Sequence, residues 1–135
     1  MNYWLLKTEP GTYSWDDLLR DGRTFWDGVR NYQARNYMKE MKSGDLALYY
    51  HSVNEKRILG IARVVKESYQ DPSTDDDRWV AVDIEPESTF EKPVTLADIK
   101  GNPALSNMVL VRNSRLSVQP VTKNEFDLII EKSKN

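Results

Sequence analysis

Three places in this chain carry the same helix-start signature, and they confine its helices to short segments with defined beginnings. Ser14 is followed three residues later by Asp17, with Tyr13 before it and Leu18 after it. Thr95 stands in the same relation to Asp98, between Val94 and Ile99, and Thr122 to Glu125, between Val121 and Phe126. In each, the hydroxyl can accept from an orphan backbone N–H, the acid can reach back, and the apolar pair fixes the angle at which the chain enters the helix. The pattern predicts helices at about 15–21, 96–100 and 123–132. A fourth is expected from about Asn31 to Lys42, where Ala34, Tyr37, Met38 and Met41 repeat as one buried stripe. Arg35, Lys39 and Lys42 fall on another stripe, facing water or a polyanion. Ser43-Gly44-Asp45 ends this helix.

Strands fill much of the remainder. Tyr3–Thr8 is aromatic and aliphatic. Leu46–His51 and Ile58–Val65 flank a polar turn and read as a hairpin. Trp79–Glu85 alternates, with Val80, Val82 and Ile84 on one side. Met108–Val111 and Leu116–Val118 are shorter candidates. Gly60 within a strand predicts a bulge or a close backbone approach. At 135 residues, without a linker or repeat, one domain is expected. The order β-α-α-β-β-β-α-β-β-α predicts an α+β fold with a small, mostly antiparallel β-barrel flanked by short helices.

Composition narrows the chemistry. The chain has no Cys, which removes disulfides, thiolate zinc sites and cysteine nucleophiles. It has one His, so no multi-histidine metal site exists. His51, Ser52 and Asp45 share one strand, and neighbours on a strand point to opposite faces, so they do not make a triad. His51 reads as a polar residue at a barrel rim. Asp16-Asp17 falls in a helix's first turn and complements its dipole. No glycine-rich phosphate loop is present. No apolar run reaches membrane-spanning length and the start lacks a signal-peptide core, so a soluble intracellular protein is expected, cytoplasmic in a bacterial setting or nuclear in a eukaryotic one. The net charge of −2 is uneven: residues 71–98 hold nine acids against Arg78 and Lys92, a local −7, which leaves +5 for the rest.

The segment Trp26-Asp27-Gly28-Val29-Arg30-Asn31-Tyr32-Gln33-Ala34-Arg35-Asn36-Tyr37 combines three aromatics, three amides and two arginines, with no nucleophile or metal set. Aromatic faces stack on bases, amides read base edges and arginines hold phosphate. The other reading of the same composition is core aromatics beside a solvated helix face.

Residue order adds a resemblance. Tyr3-Trp4-Leu5-Leu6-Lys7-Thr8-Glu9-Pro10 with Tyr13-Ser14-Trp15-Asp16-Asp17-Leu18 resembles the opening of the EVE domain. Thr24-Phe25-Trp26-Asp27-Gly28-Val29-Arg30-Asn31-Tyr32-Gln33-Ala34-Arg35-Asn36 resembles that family's strongest signature. Lys42-Ser43-Gly44-Asp45, Tyr49-Tyr50-His51-Ser52, Gly60-Ile61-Ala62 and the stretch Leu110 to Val121 continue it in order. The resemblance implies a PUA-like fold related to YTH and ASCH domains, and a non-catalytic module that recognises a modified base in DNA or RNA in an aromatic-lined pocket, without a cofactor. By the same resemblance Trp26 stacks on the base, where core packing is its other role. Asn31 and Tyr32 offer polar groups to the base edge, although Asn31 equally suits a helix cap. Lys7, Thr8 and Ser14 line the cavity, with capping the leading role for Ser14. Arg30, Arg35, Arg112 and Arg115 are the phosphate contacts, each with an unpartnered surface arginine as its alternative. For the second aromatic wall Trp79, Tyr69 and Tyr50 compete. Two rival readings are a nucleotide- or RNA-processing hydrolase built on Glu9 and His51, and a pocket for a small free ligand. An effector protein is an expected partner of a reader.

Overall fold

The three capping boxes are all formed. Ser14 Oγ accepts from the Asp17 N–H at 3.0 Å while Asp17 accepts from the Ser14 N–H at 2.9 Å. Thr95 with Asp98 and Thr122 with Glu125 repeat the exchange. The computed structural model describes residues 1–135. Its strands are β1 (Tyr3–Thr8), β2 (Thr24–Trp26), β3 (Leu46–His51), β4 (Arg57–Gln70), β5 (Val80–Thr95) and β6 (Val118–Val121). Its helices are α1 (Trp15–Asp21), α2 (Tyr32–Glu40), α3 (Leu96–Lys100), α4 (Val109–Arg112) and α5 (Lys123–Lys132). A single 3₁₀ turn covers Pro103–Leu105.

The strands form one six-stranded sheet in the order β2-β5-β4-β3-β1-β6. The pairs are antiparallel except β1 with β3, which run parallel from Tyr3 opposite Leu46 to Thr8 opposite His51. This overturns the expected barrel. β2 and β6 are the two edges and do not pair with each other, so the sheet stays open. The reason is steric. Helix α2 packs against β4, β5 and β6 and seats Ala34 and Met38 in the core, occupying the space that closure requires. The edge strands are also only three and four residues long, too short to zip across a helix.

Two other expectations shift. Met108–Val111 is not a strand: the 3₁₀ turn leads into α4, where the Arg112 N–H donates to the Met108 carbonyl. Four apolar residues carry too little periodicity to tell strand from helix. The last strand lies at Val118–Val121, beyond the expected Leu116–Val118. Gly60 behaves as predicted. The β4–β5 register slips between Ile58 and Gly60, and a Cβ at Gly60 would lie 2.6 Å from the Ser88 carbonyl oxygen and 2.5 Å from the Trp15 ring.

Alternation on β1 and β3 divides the core in two. Trp4, Leu6, Ala47 and Tyr49 join Trp15, Leu18 and Met38 on one side. Leu5, Leu48 and Tyr50 join Ile58, Phe126 and Ile129 on the other. The acidic 71–98 stretch is largely spent on internal pairing. Asp71 meets Arg30, Asp76 meets Arg78, Asp83 meets Arg23, and Glu85 and Glu87 meet Arg63.

Candidate functional site

Trp26 ends β2 with its ring edge-on to Tyr49, the centroids 5.7 Å apart at 81°. Tyr49 is fully buried, its ring lies 5.3 Å from Trp15, and its hydroxyl donates to the Tyr13 carbonyl at 3.1 Å. Burial pushes the Tyr49 phenol far up, so it remains a neutral donor. A row of rings thus runs from the core to the surface and ends at a half-open cavity of about 330 Å³. Thr8, Thr12, Tyr13, Thr24, Phe25, Trp26 and Asp27 line it. The Tyr13 hydroxyl donates to Asp21 at 2.7 Å, which holds that wall against α1.

Of the residues expected in the pocket, the fold brings Trp26 and Thr8 together here. The others have different places. Ser14 and Asn31 are helix caps, with Asn31 Oδ1 accepting from the Ala34 N–H at 2.9 Å. Lys7 and Tyr50 lie on the opposite face of the sheet. The Lys7 ammonium sits 5.8 Å over the Tyr50 ring and donates to the Ser114 carbonyl, and burial lowers its pKa. Tyr50 packs in the second core with Leu5 and Leu48 and forms no wall for Trp26. Strand parity explains the exchange: Tyr49, one residue earlier, points to the Trp26 side. Tyr32 is half exposed and stacks on Trp79 at 5.1 Å, away from the cavity lining. Tyr69 donates to Asp83 at 2.5 Å and also lies outside it.

The cavity residues that sequence reasoning missed are Thr12, Tyr13, Thr24, Phe25 and Asp27. Tyr13 was readable only as a helix staple. A three-residue edge strand is too short for alternation to show Thr24 and Phe25. Asp27 stood in the open, directly after Trp26 in the densest motif. Its carboxylate forms no ion pair, and its backbone donor is its own N–H. Partial burial and then the nearby Asp71 raise its pKa, which Arg30 offsets only in part.

The loop behind the cavity is held by Asp71, whose side chain is 0% exposed. It accepts from the Gly28 N–H and from Arg30, each at 2.9 Å, and from the Ser73 N–H and hydroxyl at 2.7 and 2.5 Å. Burial alone would raise this carboxyl, but these donors hold it down to about 2. Gly28 takes φ 75°, in the left-handed region where side chains are strained. Arg30 is therefore committed to a structural ion pair and also lies 5.5 Å over Trp79. Arg35 stacks on Tyr32 and bonds only Asn36 Oδ1 and the Arg78 carbonyl. Arg112 bonds Asn107, and Arg115 is exposed, both in the α4–β6 region. Arg35, Arg112 and Arg115 have no carboxylate partner among the ion pairs formed.

His51 is not at a barrel rim. It is buried, its Nε2 accepts from the Trp15 N–H at 2.9 Å, and its Nδ1 faces Glu55 at 2.9 Å. Both nitrogens serve the start of α1 and the turn after β3, which leaves no free base for Glu9 to assist. No three His, Asp or Glu side chains converge as a metal set. A cavity walled by aromatic rings, with a few polar groups and one unpaired acid, defines a module that takes up a planar ligand.

Comparison with known proteins agrees with that class. The EVE domain model matches residues 2–132. Human thymocyte nuclear protein 1 is 37% identical over 164 aligned residues, covering 96% of this chain and 72% of that protein. The crystal structure of Agrobacterium tumefaciens protein Atu2648 superposes with a TM-score of 0.97 at 43% identity, covering 98% of this chain and 93% of that one. Human THYN1 protein, crystallised in complex with 5-methylcytosine-containing DNA, superposes with a TM-score of 0.91 at 36% identity, covering 100% of this chain and 99% of that one. The chain belongs to the EVE domain family.

Proposed function

We propose that this protein is a non-catalytic reader of a modified cytosine, 5-methylcytosine in class, carried in DNA. The observation that supports it most is the aromatic cavity at Trp26, in a chain that superposes along its whole length on a protein crystallised with DNA of that kind. The base leaves its stack, which costs a few kcal/mol in a duplex. Stacking on Trp26 returns about 1–3 kcal/mol. Thr8, Thr12 and Thr24 offer hydroxyls to the polar edge, and Phe25 and Tyr13 supply apolar wall for the added group. Arg35, Arg112 and Arg115, free of acid partners, are the phosphate contacts of this reading. A module of this kind acts through an effector protein, separate or on the same polypeptide.

The test is competition binding at two salt concentrations, with matched single- and double-stranded DNA and RNA carrying plain, methylated or hydroxymethylated bases. A preference for methylated cytosine in DNA that Trp26→Ala removes, with the fold intact, is the expected result. Preference for a modified RNA base would replace the DNA part of the reading. Binding that ignores both salt and the oligonucleotide would place a free small ligand in the cavity instead.

A further inference from the structure

A cavity that recognised only a methyl group at carbon 5 would fail in DNA for a chemical reason. Thymine carries the same methyl on a ring of the same shape, and it is an ordinary component of every duplex. The two bases differ at one edge: 5-methylcytosine has an amino donor at carbon 4 and an acceptor at nitrogen 3, whereas thymine has an acceptor at carbon 4 and a donor at nitrogen 3. Apolar walls cannot tell them apart, so a reader needs a polar group on that edge.

We propose that Asp27 is that group, and that its carboxyl accepts a hydrogen bond from the 4-amino group of the bound cytosine-class base. This inference rests on the modified-cytosine reading above. Four observations carry it. Asp27 follows Trp26 directly and is the one acid in the cavity lining. Unlike Asp71 on the far side of Gly28, which accepts four hydrogen bonds, it has no bond from any other residue. It is partly buried at the cavity wall, and with no donor from another residue its carboxyl oxygens remain open to a ligand amine. Its charge also repels phosphate, so the strand enters this cavity base first.

The Asp27 carboxyl works in this reading as an acceptor at the base edge. Ionised, it accepts from the 4-amino group. Protonated, it also donates its O–H to nitrogen 3 while its other oxygen accepts the amine, a two-bond match to cytosine. Against thymine the ionised form faces a carbonyl oxygen, acceptor against acceptor. Discrimination therefore belongs to the carboxylate, since a protonated carboxyl can donate to the 4-carbonyl of thymine and accept from its nitrogen 3 just as it pairs with cytosine.

The experiment uses the whole chain and oligonucleotides identical except for one position, which holds cytosine, 5-methylcytosine, thymine, guanine or 5-methylpyrimidin-2-one, the last lacking the 4-amino group. Wild-type protein is expected to prefer 5-methylcytosine over thymine and over the amine-less analogue by at least about tenfold, the size of one well-placed base contact. Asp27→Asn is expected to bring 5-methylcytosine and thymine to within about twofold, because an amide can rotate to offer either a donor or an acceptor. If that variant melts below the wild type, the analogue on unaltered protein decides. Tight binding of the amine-less base, undiminished discrimination in Asp27→Asn, or preference for guanine would each overturn the assignment of Asp27. Absence of any preference for 5-methylcytosine over cytosine would instead overturn the parent reading.

Discussion

The two faces of the sheet are built from neighbouring residues of the same strands and end in opposite conditions. On one face Leu5, Leu48 and Tyr50 meet Ile58, Phe90, Ile99, Phe126 and Ile129, and α3, α4 and α5 supply the cover. On the other, Trp15 and Tyr49 set rings against one another, and the row ends at Trp26 beside a cavity. Aliphatic side chains interdigitate and leave little space. Rings on the other face meet tilted or edge to face at centroid separations of 5–6 Å, and the outermost of them borders a space a planar guest can fill. Both faces are packed cores, and the one that carries Trp15 and Tyr49 opens at Trp26 onto the cavity.

If that division holds, substitutions on the two faces part company. Ile129→Ala removes a fully buried side chain from the aliphatic face and is expected to cost about 3–4 kcal/mol of stability. Thermal or denaturant unfolding reads that loss, and ligand affinity of the folded fraction should be unchanged. A change in affinity as large as the change in stability would show that the faces are coupled. Gly60→Ala is the counterpart on the aromatic face. The new methyl meets a backbone oxygen as well as the Trp15 ring, and backbone cannot rotate away. A cost of about 2–3 kcal/mol is expected, together with weaker ligand binding, because Trp15 supports Tyr49 and Tyr49 supports Trp26. Unfolding and binding measured on one preparation separate the outcomes: lost stability with full affinity would mean the ring row transmits nothing to the cavity.

Local chemistry made much of this legible in advance. Each capping box was readable because its information sits within a few residues, and so were the first halves of β4 and β5, which run on past the expected Val65 and Glu85 to Gln70 and Thr95. The helix α2 stripe was readable too, since Ala34, Met38 and Met41 all reach the core. What depended on distant partners was not. Whether the sheet closes is decided by where α2 lies across β4, β5 and β6, and no period in the sequence encodes that. The site divides the same way. Trp26 was visible from its motif. Tyr50 was named as a wall, but strand parity puts Tyr49 on the Trp26 side, where it packs beneath that ring without lining the cavity. Arg30 looked like a phosphate contact until Asp71, forty-one residues away, was seen to hold it.

Asp71 gives the smallest of these effects and the sharpest contrast with the open face it braces. Val29 of the Gly28–Arg30 loop is buried in the core, and a buried carboxylate ties its two neighbours to the turn after β4. Its pKa falls from the ordinary 3.8 to about 2 in the folded protein. A carboxyl depressed by folding stabilises fully above its unfolded pKa, and that contribution drains away as pH falls through the folded value. Stability is therefore expected to drop by roughly 2 kcal/mol between about pH 4 and pH 2 through this group. Asp71→Asn should remove most of that slope and lower stability at neutral pH by a similar amount, since an amide cannot accept from four donors and brings two of its own. Asp27→Asn, beyond Gly28, should not lower the melting temperature at neutral pH and should raise it slightly, because burial and the Asp71 charge raise this carboxyl on folding and its ionised form costs stability there. Unfolding curves for the two variants across that range compare one acid committed to the fold with one left free for a ligand. An equal loss of stability in both would show that Asp27, too, belongs to the framework.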